Sequence, residues 1–222
     1  MYHFSAISGL KTFLNYIVIE GNIGAGKTSL AKSIASEFNG KLILERFGDN
    51  PFLPKFYLDP ERYAFPLELS LLADRYNQMK NELNERDLFS SFTIADYYFM
   101  KSLIFARSTL QEDEFNIYQQ IFNIIYSNLP QPDLYVYLHV NPDNLLRNIR
   151  DRGRDYEKKI SRNYLEKIQK GYFEFFRQQP EMTFLVIDAN NIDFVNNKND
   201  YKNLVHMILE IEYTPGLNRV IL

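Results

Sequence analysis

The chain predicts an α/β fold, a parallel sheet of about five strands with helices on both faces, and three observations carry the prediction. Short apolar, β-branched runs recur along the chain, and segments with apolar residues at helical spacing stand between them. A glycine-rich string sits between the first run and the first helical segment. Strands that alternate with helices pair in parallel through crossovers that cover both sheet faces.

Taken in order, Tyr16 to Glu20 (YIVIE) is the first strand, and TSLAKSIASEFN is the helix after the glycine turn. KLILE (41–45) reads as a second strand and GDNPFLPKFYLDPERY as a long polar and aromatic connection. A helix is expected from Phe65 to about Asn84. FTIADYYF (92–99) reads as a buried strand running into the helix KSLIFARSTL. A further helix over 113–128 is closed by the prolines of LPQPD, ahead of the strand LYVYLHV (134–140). Asn141 and Pro142 start a helix through NLLRNIRDRGRDYEKK, and ISRNYLEKIQKGYFEFFRQQ continues the helical pattern. TFLVIDA (183–189) is the last clear strand, followed by a loop and a terminal helix. With no repeat, low-complexity tract or linker, the 222 residues read as one domain.

Hydrophobic residues at 45% and charged residues at 24% describe an ordinary globular chain. The formal charge of −3 provides no global positive field, so a nucleic-acid partner is disfavoured and any anion must be held locally. The absence of cysteine excludes disulfides, thiolate metal sites and a cysteine nucleophile. Neither a signal peptide nor a membrane span is legible, so no membrane partner is expected and the reading is cytoplasmic.

GNIGAGKT, Gly21 to Thr28, fits G-x-x-x-x-G-K-[ST] and lies between a strand and a helix, where a phosphate loop must lie. Gly21, Asn22, Ile23, Gly24, Ala25, Gly26, Lys27, Thr28 and Ser29 would wrap a nucleotide tail with backbone N–H groups, helped by the helix N-terminus. Lys27 would reach the terminal phosphates, and the Thr28 hydroxyl would ligate Mg²⁺. ATP or GTP binding follows. A guanine-nucleotide switch would also need N-K-x-D, and Asn197, Lys198, Asn199 and Asp200 spell it. That string follows a polar loop rather than an apolar strand, so it reads as the start of the last helix with Asp200 as its cap.

Glu45, ending the second strand, would stand at the carboxyl edge of the sheet, where a carboxylate can accept the proton of an attacking hydroxyl. Asp96 closes an apolar strand and fits the carboxylate that serves Mg²⁺. Arg147, Arg150, Arg152 and Arg154 form a local cationic group able to clamp a transferring phosphate. Gly153 in their midst suggests a bending lid.

These motifs resemble the deoxyribonucleoside kinase family, P-loop kinases with an Arg-rich lid. The resemblance spans about Tyr16 to Phe194 and is most specific in GNIGAGKT, FYLDPERYAFPLELSLLADRY and RGRDYE. It implies ATP-dependent phosphorylation of a deoxyribonucleoside 5′-hydroxyl for nucleotide salvage, with Mg²⁺, by a homodimer packed through helices. It places Glu45 as the base, with Lys27, Arg150 and Arg152 also catalytic and Arg147 and Arg154 on ATP. It places Tyr57 and Glu157 on the sugar 3′-hydroxyl, and Arg75 and Phe105 on the base. Where the family commonly has a base-pairing Gln this chain has Glu68, which can accept two hydrogen bonds and leans the reading toward a purine. The family's third strand ends in an acid followed by Arg; here Asp96 is followed by Tyr97, and Lys101 or a lid arginine would have to supply the missing charge. Two rivals remain at this point. One is a thymidylate-like monophosphate kinase, with Arg46 or Arg75 for the acceptor phosphate; the other is a nucleotide switch without phosphoryl transfer.

Overall fold

Among the described residues, six strands form one sheet in the order β2-β3-β1-β4-β5-β6, every neighbouring pair parallel. They are β1 (Tyr16–Gly21), β2 (Gly40–Ile43), β3 (Phe92–Ala95), β4 (Leu134–His139), β5 (Thr183–Asp188) and β6 (Gly216–Ile221). The helices are α1 (Lys27–Glu37), α2 (Leu53–Leu58), α3 (Pro60–Asn84), α4 (Lys101–Thr109), α5 (Glu112–Tyr126), α6 (Pro142–Arg152), α7 (Arg162–Gln178) and α8 (Lys198–Leu209), with a 3₁₀ turn at Asp155–Lys159. This computed structural model describes residues 14–46, 48, 50–84, 89–127 and 129–221. Among the described residues no helix is long and apolar enough to cross a membrane.

β1 lies inside the sheet with all six residues buried, and its apolar run from Tyr16 to Ile19 is the mark of a strand covered on both faces. Ile17 and Ile19 point into one core with Leu30, Ile34, Leu138 and Leu145. Val18 points into the other, with Tyr135, Tyr137, Tyr172, Phe176 and Phe184. That second core is aromatic, with Phe176 and Phe184 centroids 4.6 Å apart and Tyr137 and Tyr172 4.9 Å apart. Tyr and Phe thus supply the bulk that a chain without Trp must find elsewhere.

Several elements differ from expectation. The sheet has a sixth strand: β6 extends the edge beside β5, and its alternating half-exposure over six residues after a Pro-Gly turn left little apolar signal. The 92–99 strand stops at Ala95, and Asp96 to Met100 turn into α4. The expected connection after β2 contains α2 and the first turn of α3, which tolerates Pro60 at its start and Pro66 within. Gly153 ends α6 rather than bending it: at φ 74° its N–H donates to the Ile149 and Arg150 carbonyls, a left-handed helix stop. Asn197, not Asp200, caps α8 by accepting the Asn199 N–H, while Asp200 accepts the Asp193 N–H. Asn128, the expected end of the helix begun at 113, lies outside the described residues, as do the first thirteen.

From β1 the chain goes first to β2, and β3 returns between them, while β4 lies on the other side of β1. The carboxyl ends of β1, β3 and β4 therefore flank a topological switch point, where open α/β sheets bind ligands.

Candidate active site

The phosphate loop leaves β1 at Gly21 and enters α1 at Lys27. Gly26, at φ 88°, precedes α1 in a conformation that favours glycine, and a Cβ there would lie 2.6 Å from the Phe194 ring. The loop is tied down from outside. Buried Asn22 donates to the Leu165 carbonyl at 2.7 Å, and Asn148 donates to the Gly24 carbonyl at 2.9 Å. No acidic residue occupies the first turn of α1 and no side chain caps it, so its N–H groups and dipole are left for an anion. Lys27 Nζ donates to the Gly21 and Asn22 carbonyls, both at 2.9 Å. Burial, together with the nearby Lys101, pushes the Lys27 ammonium down to about 8.

Thr28 Oγ1 donates to Asp96 Oδ2 at 2.5 Å, and Asp96 Oδ1 accepts the Glu45 N–H at 2.7 Å. Asp96 therefore joins the loop to the segment after β2. That segment, rather than the strand itself, carries Glu45, since β2 ends at Ile43. Arg75 donates through Nε and Nη2 to Glu45 Oε1 at 2.9 and 2.7 Å, and Lys101 Nζ donates to Oε2 at 2.7 Å. Burial alone would raise the Glu45 carboxyl; Lys101 and Arg75 outweigh it and hold it at about 2. Tyr97 is fully buried in the aromatic core, and Lys101, on the first turn of α4, places the positive charge at Glu45.

A cavity of about 210 Å³ opens from this cluster, and Tyr57, Glu68, Phe105 and Glu157 line it together with Glu45, Arg75 and Lys101. Tyr57 stacks on Tyr156, their centroids 5.9 Å apart. Buried Glu157 accepts from Arg152 Nη2 at 2.6 Å and Arg154 Nη1 at 3.2 Å, so the R-G-R-D-Y-E string is knit together by its own charges. A second cavity, of about 820 Å³, is lined by Gly24 to Ser29, Asn144, Arg147, Arg152, Arg154 and the segment 189–196. Gly24, Lys27, Thr28, Arg152 and Arg154 line both, so the two spaces meet at the phosphate loop beneath the lid.

Gly21 and Asn22 shape the loop without lining either cavity, and Ile23 lines the smaller one. Arg150 is exposed on α6 and lines neither. Sequence reasoning missed the 189–196 wall, although its place after a strand's carboxyl end was a usable signal. It also missed Glu20, which is fully buried beneath the loop and accepts from Tyr98 N at 3.0 Å and Tyr172 Oη at 2.9 Å.

A helix N-terminus freed for an anion, a lysine within the loop, a hydroxyl–carboxylate pair and a second cavity at a buried carboxylate define a P-loop phosphotransferase. The family model for deoxynucleoside kinases matches residues 17–211. The chain is 36% identical over 200 residues to a deoxyguanosine kinase of Bacillus subtilis, covering 88% of this chain and 97% of that one. It is 32% identical over 207 residues to a deoxyadenosine kinase of Dictyostelium discoideum, covering 92% and 82%. A solved deoxyadenosine kinase of M. mycoides, holding the products dCMP and a flexible dCDP, superposes with a TM-score of 0.76 at 25% identity, over 88% of this chain and 100% of that one. The chain belongs to the deoxynucleoside kinase family, whose reaction is ATP-dependent phosphorylation of a nucleoside hydroxyl.

Proposed function

We propose that the chain moves the γ-phosphoryl group of ATP to the 5′-hydroxyl of a purine deoxyribonucleoside. The meeting of two cavities at Lys27, Thr28, Arg152 and Arg154 carries this reading. The larger, at the α1 N-terminus, suits the triphosphate; the smaller, lined by the carboxyl groups of Glu45, Glu68 and Glu157, suits an uncharged acceptor. Glu45 faces the 5′-hydroxyl and takes its proton as the oxygen bonds to the γ-phosphorus and the bond to the leaving ADP oxygen breaks. Lys27, Arg152 and Arg154 neutralise the charge on the transferring group, so catalysis is mostly positioning and electrostatics. Tyr57 and Glu157 hold the sugar 3′-hydroxyl, and Phe105 packs on the base.

The paired oxygens of Thr28 and Asp96 are a hard donor set that fits Mg²⁺. When bound, Mg²⁺ neutralises phosphate charge. The monophosphate-kinase alternative needs a cation for the acceptor's own phosphate. Neither candidate favours it: Arg75 is committed to Glu45 and Ser102, and Arg46 is exposed and paired with Glu82. An ADP-release assay with ATP and Mg²⁺, run across the deoxynucleosides and their monophosphates, decides between them. Turnover with nucleosides is expected; turnover with monophosphates alone would overturn the assignment.

We also infer a homodimer packed through α5, because Ile117, Ile121 and Ile124 are exposed along one stripe of that helix. Ile121→Lys should halve the mass measured by light scattering while leaving the circular dichroism spectrum unchanged.

A further inference from the structure

Glu68 is the chemical oddity of the smaller cavity. It is only 2% exposed; Oε1 accepts from Thr109 Oγ1 at 3.1 Å, and Oε2 is buried without a partner among the described residues. An orphaned carboxylate oxygen at a cavity wall is costly unless a ligand completes it. With the smaller cavity taken as the nucleoside site, we propose that Glu68 selects the base through its own protonation state: ionised it reads guanine, protonated it reads adenine or cytosine.

The chemistry is that of the Watson–Crick edges. Guanine presents N1–H and N2–H₂ side by side, two donors that match an acceptor-only carboxylate. Adenine presents an N6–H₂ donor beside the N1 acceptor, and cytosine N4–H₂ beside N3. A protonated carboxyl answers either with one C=O acceptor and one O–H donor, which an ionised carboxylate cannot do. A Gln in this place would offer a fixed donor and acceptor; a Glu offers a choice.

The surroundings satisfy both states. The Thr109 hydroxyl has one proton and three acceptors in reach: Glu68 Oε1 at 3.1 Å, the Phe105 carbonyl at 3.0 Å and the Ala106 carbonyl at 3.4 Å. It donates to Glu68 Oε1 in either state: an ionised carboxylate accepts there, and a carboxyl protonated on Oε2 keeps Oε1 as its C=O acceptor and its single O–H for the base. Burial raises the Glu68 carboxyl most. Arg75 on the same helix, the Thr109 hydroxyl and Lys101 on α4 lower it in part, and Glu45 after β2 adds to the rise. Tyr57 on α2, Tyr118 on α5 and Tyr164 on α7 complete the titratable ring, and each feels the Glu68 charge. The balance stands at about 7, because Arg75, though near, spends its bonds on Glu45 and Ser102. Both forms are therefore populated near neutral pH.

The test is the ratio of kcat/KM for deoxyguanosine over deoxyadenosine as a function of pH, in which the shared titrations of Glu45 and Lys27 cancel. For a one-proton difference the ratio should rise about tenfold per pH unit, or roughly 100-fold from about pH 6 to about pH 8. Glu68→Gln should flatten the ratio and favour deoxyadenosine. A ratio independent of pH in the native protein, or one untouched by Glu68→Gln, overturns the proposal. Calorimetric titration of the native protein with each nucleoside near neutral pH, in buffers of different ionisation enthalpy, needs no turnover. Proton release on binding deoxyguanosine and uptake on binding deoxyadenosine support the selector; the same proton count for both overturns it. Binding with these opposite signs but no phosphorylation would sink the kinase assignment and leave the selector standing. No binding of either nucleoside sinks both.

Discussion

Glu45→Gln should lower kcat by roughly 100- to 10,000-fold, the range that a positioned general base contributes, while leaving ATP affinity within a fewfold of native. The two effects separate because the proposed ATP site is the larger cavity at the α1 N-terminus, which Glu45 does not line, whereas Glu45 stands in the smaller cavity. The amide is close in shape but cannot take a proton, and it leaves Arg75 and Lys101 buried against a neutral partner. Uncompensated buried charge costs about 3–5 kcal/mol, so melting temperature should be recorded beside the kinetics. Near-normal turnover in a folded variant would remove Glu45 from the base role.

The same carboxyl sets an acid limit on stability. Its folded value of about 2 lies below the ordinary 4.5, so its contribution is present above the unfolded value and is lost as pH falls through the folded one. The shift corresponds to about 3 kcal/mol. Glu68 runs the other way: raised to about 7, its contribution is full below the ordinary 4.5 and is lost as pH rises through 7. Two carboxyl groups lining one cavity thus carry opposite linkages, because one has two cationic partners and the other has a hydroxyl.

Lys101→Met should lower kcat/KM at neutral pH by about 100-fold or more, as loss of a preorganised charge at a reacting centre does. It should also move both limbs of the pH profile upward. Removing the ammonium raises the Glu45 carboxyl by about 1–3 units, because an opposite charge in contact no longer favours ionisation. It raises Lys27 as well, since Lys101 is a like charge that depresses that ammonium. A variant that merely loosened the fold would lower the amplitude without displacing either limb. The measurement is kcat/KM against pH; limbs that stay in place would confine Lys101 to a structural role.

Much of this site could be read from local spacing. The phosphate loop is a contiguous string whose chemistry depends on backbone turns between one strand and one helix, so Gly21 to Thr28 carried both its position and its task. Asp96 was legible because an acid after an apolar run lands at a strand's carboxyl edge. Glu45 was placed at a strand end and lies two residues beyond one. The lid string was legible as a cationic group; that Arg152 and Arg154 clasp Glu157 depends on how Gly153 stops α6. β6 and α2 escaped because each is six residues long and drawn from mixed composition.

The order of apolar runs and the loop between the first two elements determined the fold class and the place of the phosphate loop, because those properties reside in short contiguous segments, and the kind of reaction followed from the motifs that resemble the kinase family. Which charges meet was decided only by folding. Glu45, Arg75 and Lys101 come from three different elements, and their partnership exists where α3 and α4 converge on the segment after β2. A carboxyl's affinity for a proton depends on the water withdrawn from it and on the charges brought beside it. Hence the tertiary structure alone separates Glu45, held ionised, from Glu68, poised between its two forms.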